Sequence, residues 1–80
     1  MYFVYILECA DTTFYIGITN NLEKRVYAHN HLKSGAKYTR ARRPVILKYS
    51  EKVKNNSLAK KREYKLKQLT RTQKKTLFKK

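Results

Sequence analysis

The sequence predicts a small α+β domain, a three-stranded mixed or antiparallel sheet flanked by helices in the order ββαβαα. Three observations predict it. Two runs rich in aromatic and β-branched residues, Tyr2 to Cys9 and Phe14 to Thr19, are separated by a hairpin-sized polar gap. Two later stretches combine helix-capping residues with apolar positions three and four apart. A further β-rich run, Val45-Ile46-Leu47-Lys48-Tyr49, follows the only proline.

The elements follow in order. Met1-Tyr2-Phe3-Val4-Tyr5-Ile6-Leu7 is apolar, lacks a preceding basic segment and is interrupted by Glu8, so it reads as a strand and not a secretory signal. Asp11-Thr12-Thr13 is the turn. Tyr5 and Tyr15 share a sheet face only if opposed residues sum to an even number, which an odd-length loop or a bulge provides. Asn20 is the expected N-cap of the first helix, with Glu23 three residues later completing a capping-box pattern. That helix should run from Asn21 to about Leu32 and stop near Ser34-Gly35. The basic residues 36–43 form a short helical turn or a loop, and Pro44 opens the third strand. Asn55-Asn56-Ser57 is a turn that caps a second long helix from about Leu58 to Leu69. Thr70 starts a last short helix ending at Phe78.

The 80 residues make one domain, 1–80, with a thin core, since a chain this short hides only about 60–65% of its unfolded surface. No stretch approaches the roughly 20 apolar residues of a bilayer helix. Cys9 is the single cysteine, which excludes an internal disulfide and a thiolate zinc site and fits a cytoplasmic protein. The net charge is +15, unevenly spread. Residues 1–32 carry two basic and three acidic side chains, whereas residues 33–80 carry eighteen basic and two acidic ones. A polyanion met by the second half is the expected partner, nucleic acid before an anionic membrane. A membrane-surface protein wants an apolar face with Trp, and the chain has none. A merely soluble, lysine-rich surface needs far less charge, roughly 2–8 for a small domain.

Some residues look out of place. Leu22, Arg25, Val26 and His29 share one face of the first helix. With Leu22 and Val26 inward, Arg25 and His29 flank the buried stripe. Arg25 either grips a phosphate or carboxylate, or snorkels or pairs with Glu8; His29 fits a structural role as well as a chemical one. His29 and His31 diverge on a helix, which argues against a zinc pair. Between Lys52 and Lys80, Glu63 is the one acidic residue among twelve Lys and Arg. It lies at the rim of the Leu58/Leu66/Leu69 stripe, as an i,i+4 partner of Lys67 or as a hard oxygen ligand for a divalent cation. Arg62 sits nearer the centre of that stripe with no role beyond snorkelling.

Phe3-Val4-Tyr5, Tyr15-Ile16-Gly17, Arg25 with His29 four residues on, and Glu63 on a later helix together resemble the GIY-YIG nuclease family. Within it the chain looks like the small, single-domain bacterial members. The resemblance runs from Tyr2 to about Leu69, and Ser34 to Arg40 and Ala59 to Leu69 also look like that subgroup. It implies a three-stranded sheet with the site on one face, and phosphodiester hydrolysis with one divalent cation, Mg²⁺ or Mn²⁺. It implies that Tyr5 and Tyr15 are the motif tyrosines, one of them a general base, with Tyr5 slightly preferred. Arg25 would steady the scissile phosphate, His29 would assist proton handling or contact the phosphate, and Glu63 would hold the metal. A phenol is a poor base at neutral pH unless nearby cations depress its pKa from about 10. Arg25, the metal and the basic half are expected to do so.

DNA is the expected partner, cut with low sequence specificity because no separate DNA-binding domain accompanies the site. Contacts are expected from Lys37, Tyr38, Arg40, Arg42 and Arg43 before the third strand, and from Lys60, Lys61 and Lys67 on the later helix. Two departures stand against the resemblance: the first glycine of the family name is Phe3 here, and a late Asn found in some relatives has no counterpart. The rival reading is a non-catalytic DNA- or RNA-binding module with a decayed site. A third is a basic protein docking on ribosomes or a protein partner.

Overall fold

β1 (Tyr2–Glu8) lies in the middle of the sheet, which explains why its run is apolar on both alternating faces. The computed structural model describes residues 1–78, so the last two residues of the expected domain lie outside the described part. β2 (Phe14–Thr19) and β3 (Ile46–Val53) flank β1, both antiparallel to it, in the order β2-β1-β3. In the hairpin Tyr5 opposes Gly17 and Leu7 opposes Tyr15, an even-sum register that puts the two motif tyrosines on one face. The connection runs from Cys9 to Thr13, closed by the Cys9 N–H donating to the Thr13 carbonyl at 2.8 Å.

Helices cover both faces. Val4, Ile6 and Ile16 pack with Ala59 and Leu66 of α3 (Asn56–Lys67), and Leu77 and Phe78 add to this side after α4 (Arg71–Thr76). On the other face Tyr5, Leu7, Cys9 and Val45 meet Leu22 and Val26 of α1 (Leu22–His31), followed by the single turn α2 (Lys37–Arg40). Residues 36–43 thus contain the helical turn rather than only a loop. Among the described residues no helix is long and apolar enough to cross a membrane.

Several boundaries differ from expectation for local reasons. The N-cap of α1 is Asn21, not Asn20. The Thr19 hydroxyl accepts the Asn21 N–H at 3.1 Å, and the Asn21 side chain then accepts the Lys24 N–H at 3.1 Å. β3 starts at Ile46 because the Asn30 amide takes both backbone groups of Val45, at 2.7 and 3.0 Å. It continues past Tyr49 to Val53, pairing its polar second half with Tyr2 to Tyr5. A register shift between Ile6 and Leu7 leaves Lys48 unmatched. Asn55 caps α3, accepting the Leu58 N–H at 2.9 Å, so the helix begins and ends two residues early. Leu58 falls in its first turn and is 44% exposed, so the stripe is carried by Ala59 and Leu66. α4 has Thr70 as N-cap in a capping box with Gln73 and ends at Thr76.

Candidate active site

Gly17 explains the geometry of Tyr5. A Cβ at position 17 would lie 2.6 Å from Tyr5 Cζ and closer still to the hydroxyl, so the tyrosine reaches across its cross-strand neighbour only because that neighbour is glycine. Tyr5 is 1% exposed and its hydroxyl lies 2.8 Å from His29 Nε2. His29 is fully buried, and its Nδ1 lies 2.7 Å from Thr39 Oγ1. The Thr39 hydroxyl donates to the Ala36 carbonyl at 2.9 Å, so Nδ1 carries the proton toward Thr39 and Nε2 accepts from Tyr5. The Ala36 N–H, 3.5 Å from Nδ1, is too far to compete. Gly35 lets this loop close on α1, since a Cβ there would sit 2.6 Å from the Ala28 carbonyl.

Burial dominates the titration of this pair. It pushes Tyr5 up to about 12; Arg25 opposes the shift, while Tyr15 and Glu63 add to it. At Tyr5 desolvation thus outweighs the Arg25 guanidinium, and this phenol lies above its ordinary value. Burial, with the charges of Arg25 and Arg43, lowers His29 to about 4, so the imidazole is neutral at pH 7.

Tyr15 is half-buried and is the hub of the aromatic cluster. Its ring centroid lies 5.1 Å from His29, 6.5 Å from Tyr5 and 6.0 Å from Tyr38. Tyr38 also carries the Arg42 guanidinium 3.8 Å from its ring centre. Tyr15, Tyr38, Glu63, Lys67 and Lys74 line an open cleft of about 300 Å³. Glu63 meets Lys67 Nζ at 3.5 Å, so the i,i+4 pair and the cleft-lining carboxylate are the same group. Arg25 lines a second cleft of about 250 Å³ with Thr19, Asn20, Lys24 and Ser34, and its Nη1 donates to the Ser34 carbonyl at 3.0 Å. Of the five residues, Tyr15 and Glu63 thus line one cleft and Arg25 another, while Tyr5 and His29 are buried; Tyr5 feels both the Arg25 guanidinium and the Glu63 carboxylate.

The other expectations divide. Glu8 pairs with Lys48 at 3.5 Å and leaves Arg25 free of it. Arg62 is no snorkeller: its Nε donates to Glu51 at 2.8 Å, and the Tyr49 hydroxyl donates to the same carboxylate oxygen at 3.0 Å. Arg42 holds Asp11 at 3.0 Å and the Tyr38 carbonyl. Arg43 turns onto the α1 C-terminus, donating to the carbonyls of His29 at 2.6 Å, Ala28 at 3.2 Å and Leu32. Both arginines therefore give donors to groups of this chain, Arg42 at the surface and Arg43 at the end of α1, whereas Lys37, Arg40, Lys60 and Lys61 are exposed. Phe3 pairs with Thr19 and Lys52 and does not line the Tyr15–Glu63 cleft. Thr39 and Lys74 were not singled out by sequence. Neither sits in a spacing that marks it, because the loop and the break between helices decide their direction.

Among the described residues no three His, Cys, Asp or Glu side chains gather as a metal cage. A single carboxylate in an open cleft suits Mg²⁺ or Mn²⁺, hard ions that keep waters and take one or two carboxylates plus phosphate oxygens. It does not suit a fully protein-caged ion.

The three-stranded antiparallel sheet flanked by helices is the fold of a nuclease-type family. The chain belongs to the GIY-YIG catalytic domain family, whose model matches residues 1–76. More particularly, it is 54% identical over 78 residues to a UPF0213 protein of Desulfotalea psychrophila, covering 98% of this chain and 71% of that one. It is 49% identical to a UPF0213 protein of Halobacterium salinarum, covering 98% of this chain and 100% of the relative. The solution NMR structure of a UPF0213 protein from Bacillus halodurans superposes with a TM-score of 0.59 at 38% identity, over 96% of this chain and 82% of that one.

Proposed function

We propose that this protein is a divalent-metal-dependent endonuclease that hydrolyses phosphodiester bonds in DNA with low sequence specificity. The observation that carries the reading is the shared cleft of Tyr15 and Glu63, backed by the Tyr5–His29–Thr39 hydrogen-bond chain. Hydrolysis needs a proton taken from water and charge absorbed on a pentacoordinate phosphate. Tyr15 stands on the cleft wall, whereas Tyr5 is buried, held protonated and already committed to His29. Tyr15, once it has given its own proton to solvent, is therefore the tyrosine whose phenolate would take the proton from water, rather than Tyr5, the one slightly preferred from sequence. Tyr5 and His29 position it, since the imidazole edge packs against its ring. Glu63 would hold Mg²⁺ or Mn²⁺, which supplies Lewis-acid polarisation of the phosphate and neutralises the leaving oxygen. Arg25, whose guanidinium, like the Glu63 carboxylate, acts on Tyr5, would support the charge on the phosphate. Exposed Lys37, Arg40, Lys60 and Lys61 supply the sequence-independent attraction to the backbone.

A nicking assay on supercoiled DNA with Mg²⁺ or Mn²⁺ tests this. The unsubstituted protein nicks, Glu63→Gln does not, and Tyr15→Phe loses about 10²-fold or more in kcat, in the range of general acid–base catalysis. DNA binding by Glu63→Gln stays intact. Full nicking by Glu63→Gln refutes the assignment.

A further inference from the structure

The cleft that holds Tyr15 and Glu63 receives two ammonium groups, from Lys67 and Lys74. They are not equivalent. Lys67 sits one helical turn after Glu63, with Nζ 3.5 Å from Oε2, so its charge is already opposed. Among the described residues Lys74 joins no ion pair. Arg25, the cation that the sequence places at the phosphate, lines the second cleft and gives Nη1 to the Ser34 carbonyl. Of the basic side chains lining the Tyr15–Glu63 cleft, Lys67 pairs with a carboxylate, and Lys74 pairs with none among the described residues.

Its position is fixed, although it lies on a helix of only six residues. Thr70 and Gln73 lock the start of α4 with a reciprocal capping box. Past its end, Phe78 meets Phe14 edge-on at 5.5 Å. The Arg71 guanidinium lies 4.7 Å from the Phe14 ring centre and donates to the Thr12 carbonyl. α4 is thereby tied to the hairpin that carries Tyr15, and Lys74 is half-buried at the cleft while Lys75 is exposed.

We infer that Lys74 is a phosphate-binding residue of this cleft, its ammonium contacting a non-bridging oxygen of the phosphate that enters beside Tyr15 and Glu63. The inference rests on the nuclease reading for the identity of that phosphate. An ammonium on a flexible stem offers three donors and follows an oxygen whose charge grows as the phosphorus becomes five-coordinate. Lys67 already opposes Glu63, so the Lys74 charge is the surplus that makes the cleft lining net positive toward an entering anion.

The test has two arms. In the inactive Glu63→Gln protein, binding of a short DNA duplex is followed by anisotropy across a salt series without metal. Lys74→Ala should reduce the log–log salt slope by about 0.9, the release from one phosphate, while Lys74→Arg and Lys75→Ala keep it. In the otherwise unsubstituted protein, Lys74→Ala should lower kcat about 10²-fold with a much smaller change in KM, as for loss of one charge-stabilising donor. If both slope and kcat of Lys74→Ala match those of Lys75→Ala, the inference is overturned, whether or not Glu63→Gln has removed cleavage. A reduced slope in a protein that never cleaves supports the phosphate contact and refutes only the hydrolytic reading.

Discussion

Replacing Gly17 by alanine should strike the site and the fold together. Gly17 has no positive φ, so alanine fits its backbone and the penalty comes from contact alone. The added Cβ would stand 2.6 Å from Tyr5 Cζ, inside any tolerable carbon–carbon distance. Tyr5 lies in the central strand, paired on both sides, and cannot retreat by moving its backbone. Overpacking of this kind costs about 1–3 kcal/mol. Tilting the ring away would strip the bond to His29 Nε2 and leave a buried acceptor unpaired, a further cost of about 1–3 kcal/mol. The total is about 2–6 kcal/mol, and even its low end lowers Tm by roughly 8–16 °C for a domain of this size. Thermal melts followed by circular dichroism read it. In a Tyr5→Phe background the penalty should shrink, because the hydroxyl is the nearest atom to the new methyl. A Gly17→Ala protein within about 0.5 kcal/mol of the original, the range of an innocuous surface change, would refute the account of why glycine stands there.

Two other outcomes follow from the same residues. His29 is lowered from 6.5 to about 4, so its contribution to stability is complete above pH 6.5 and is lost as pH falls toward 4, where the unfolded chain takes a proton that the folded imidazole refuses. The loss approaches about 3 kcal/mol. Urea titrations at pH 7 and 4.5 should show a smaller acid loss for His29→Gln than for the unsubstituted protein, and equal losses would contradict it. Arg43→Ala should destabilise by about 1–3 kcal/mol, because three carbonyls at the α1 C-terminus lose their shared donor. An unchanged urea midpoint would show that water replaces it without loss.

What the sequence revealed follows from where burial is two-sided or local. β1 is apolar on both faces because it is central, and the hairpin and the caps at Asn55 and Thr70 are short-range features that residue types encode directly, whereas the even register of the tyrosines is only a condition until the pairing fixes it. The second half of β3 is hidden because Glu51, paired with Tyr49 and Arg62, takes a half-buried position where the alternation would otherwise show an apolar residue. Val45 left the strand because of Asn30, a partner fifteen residues away. The site residues were legible through the family motif, but their sorting into two clefts was not. Whether Arg25 faces Glu63 or Ser34 depends on how the Gly35 loop closes against α1. Arg62 and Lys74 are the same lesson: each takes its meaning from a partner or cleft assembled by packing, Glu51 for one and the Tyr15 wall for the other.

The most direct measurement is a Mn²⁺ titration of the isotopically labelled protein bound to a short DNA duplex, read by paramagnetic broadening of its NMR signals. The account predicts broadening centred on Glu63 and reaching Tyr15, Lys67 and Lys74, and its loss in Glu63→Gln. Broadening centred instead on Asp11, Glu23 or Glu51, or unaltered by Glu63→Gln, would contradict it.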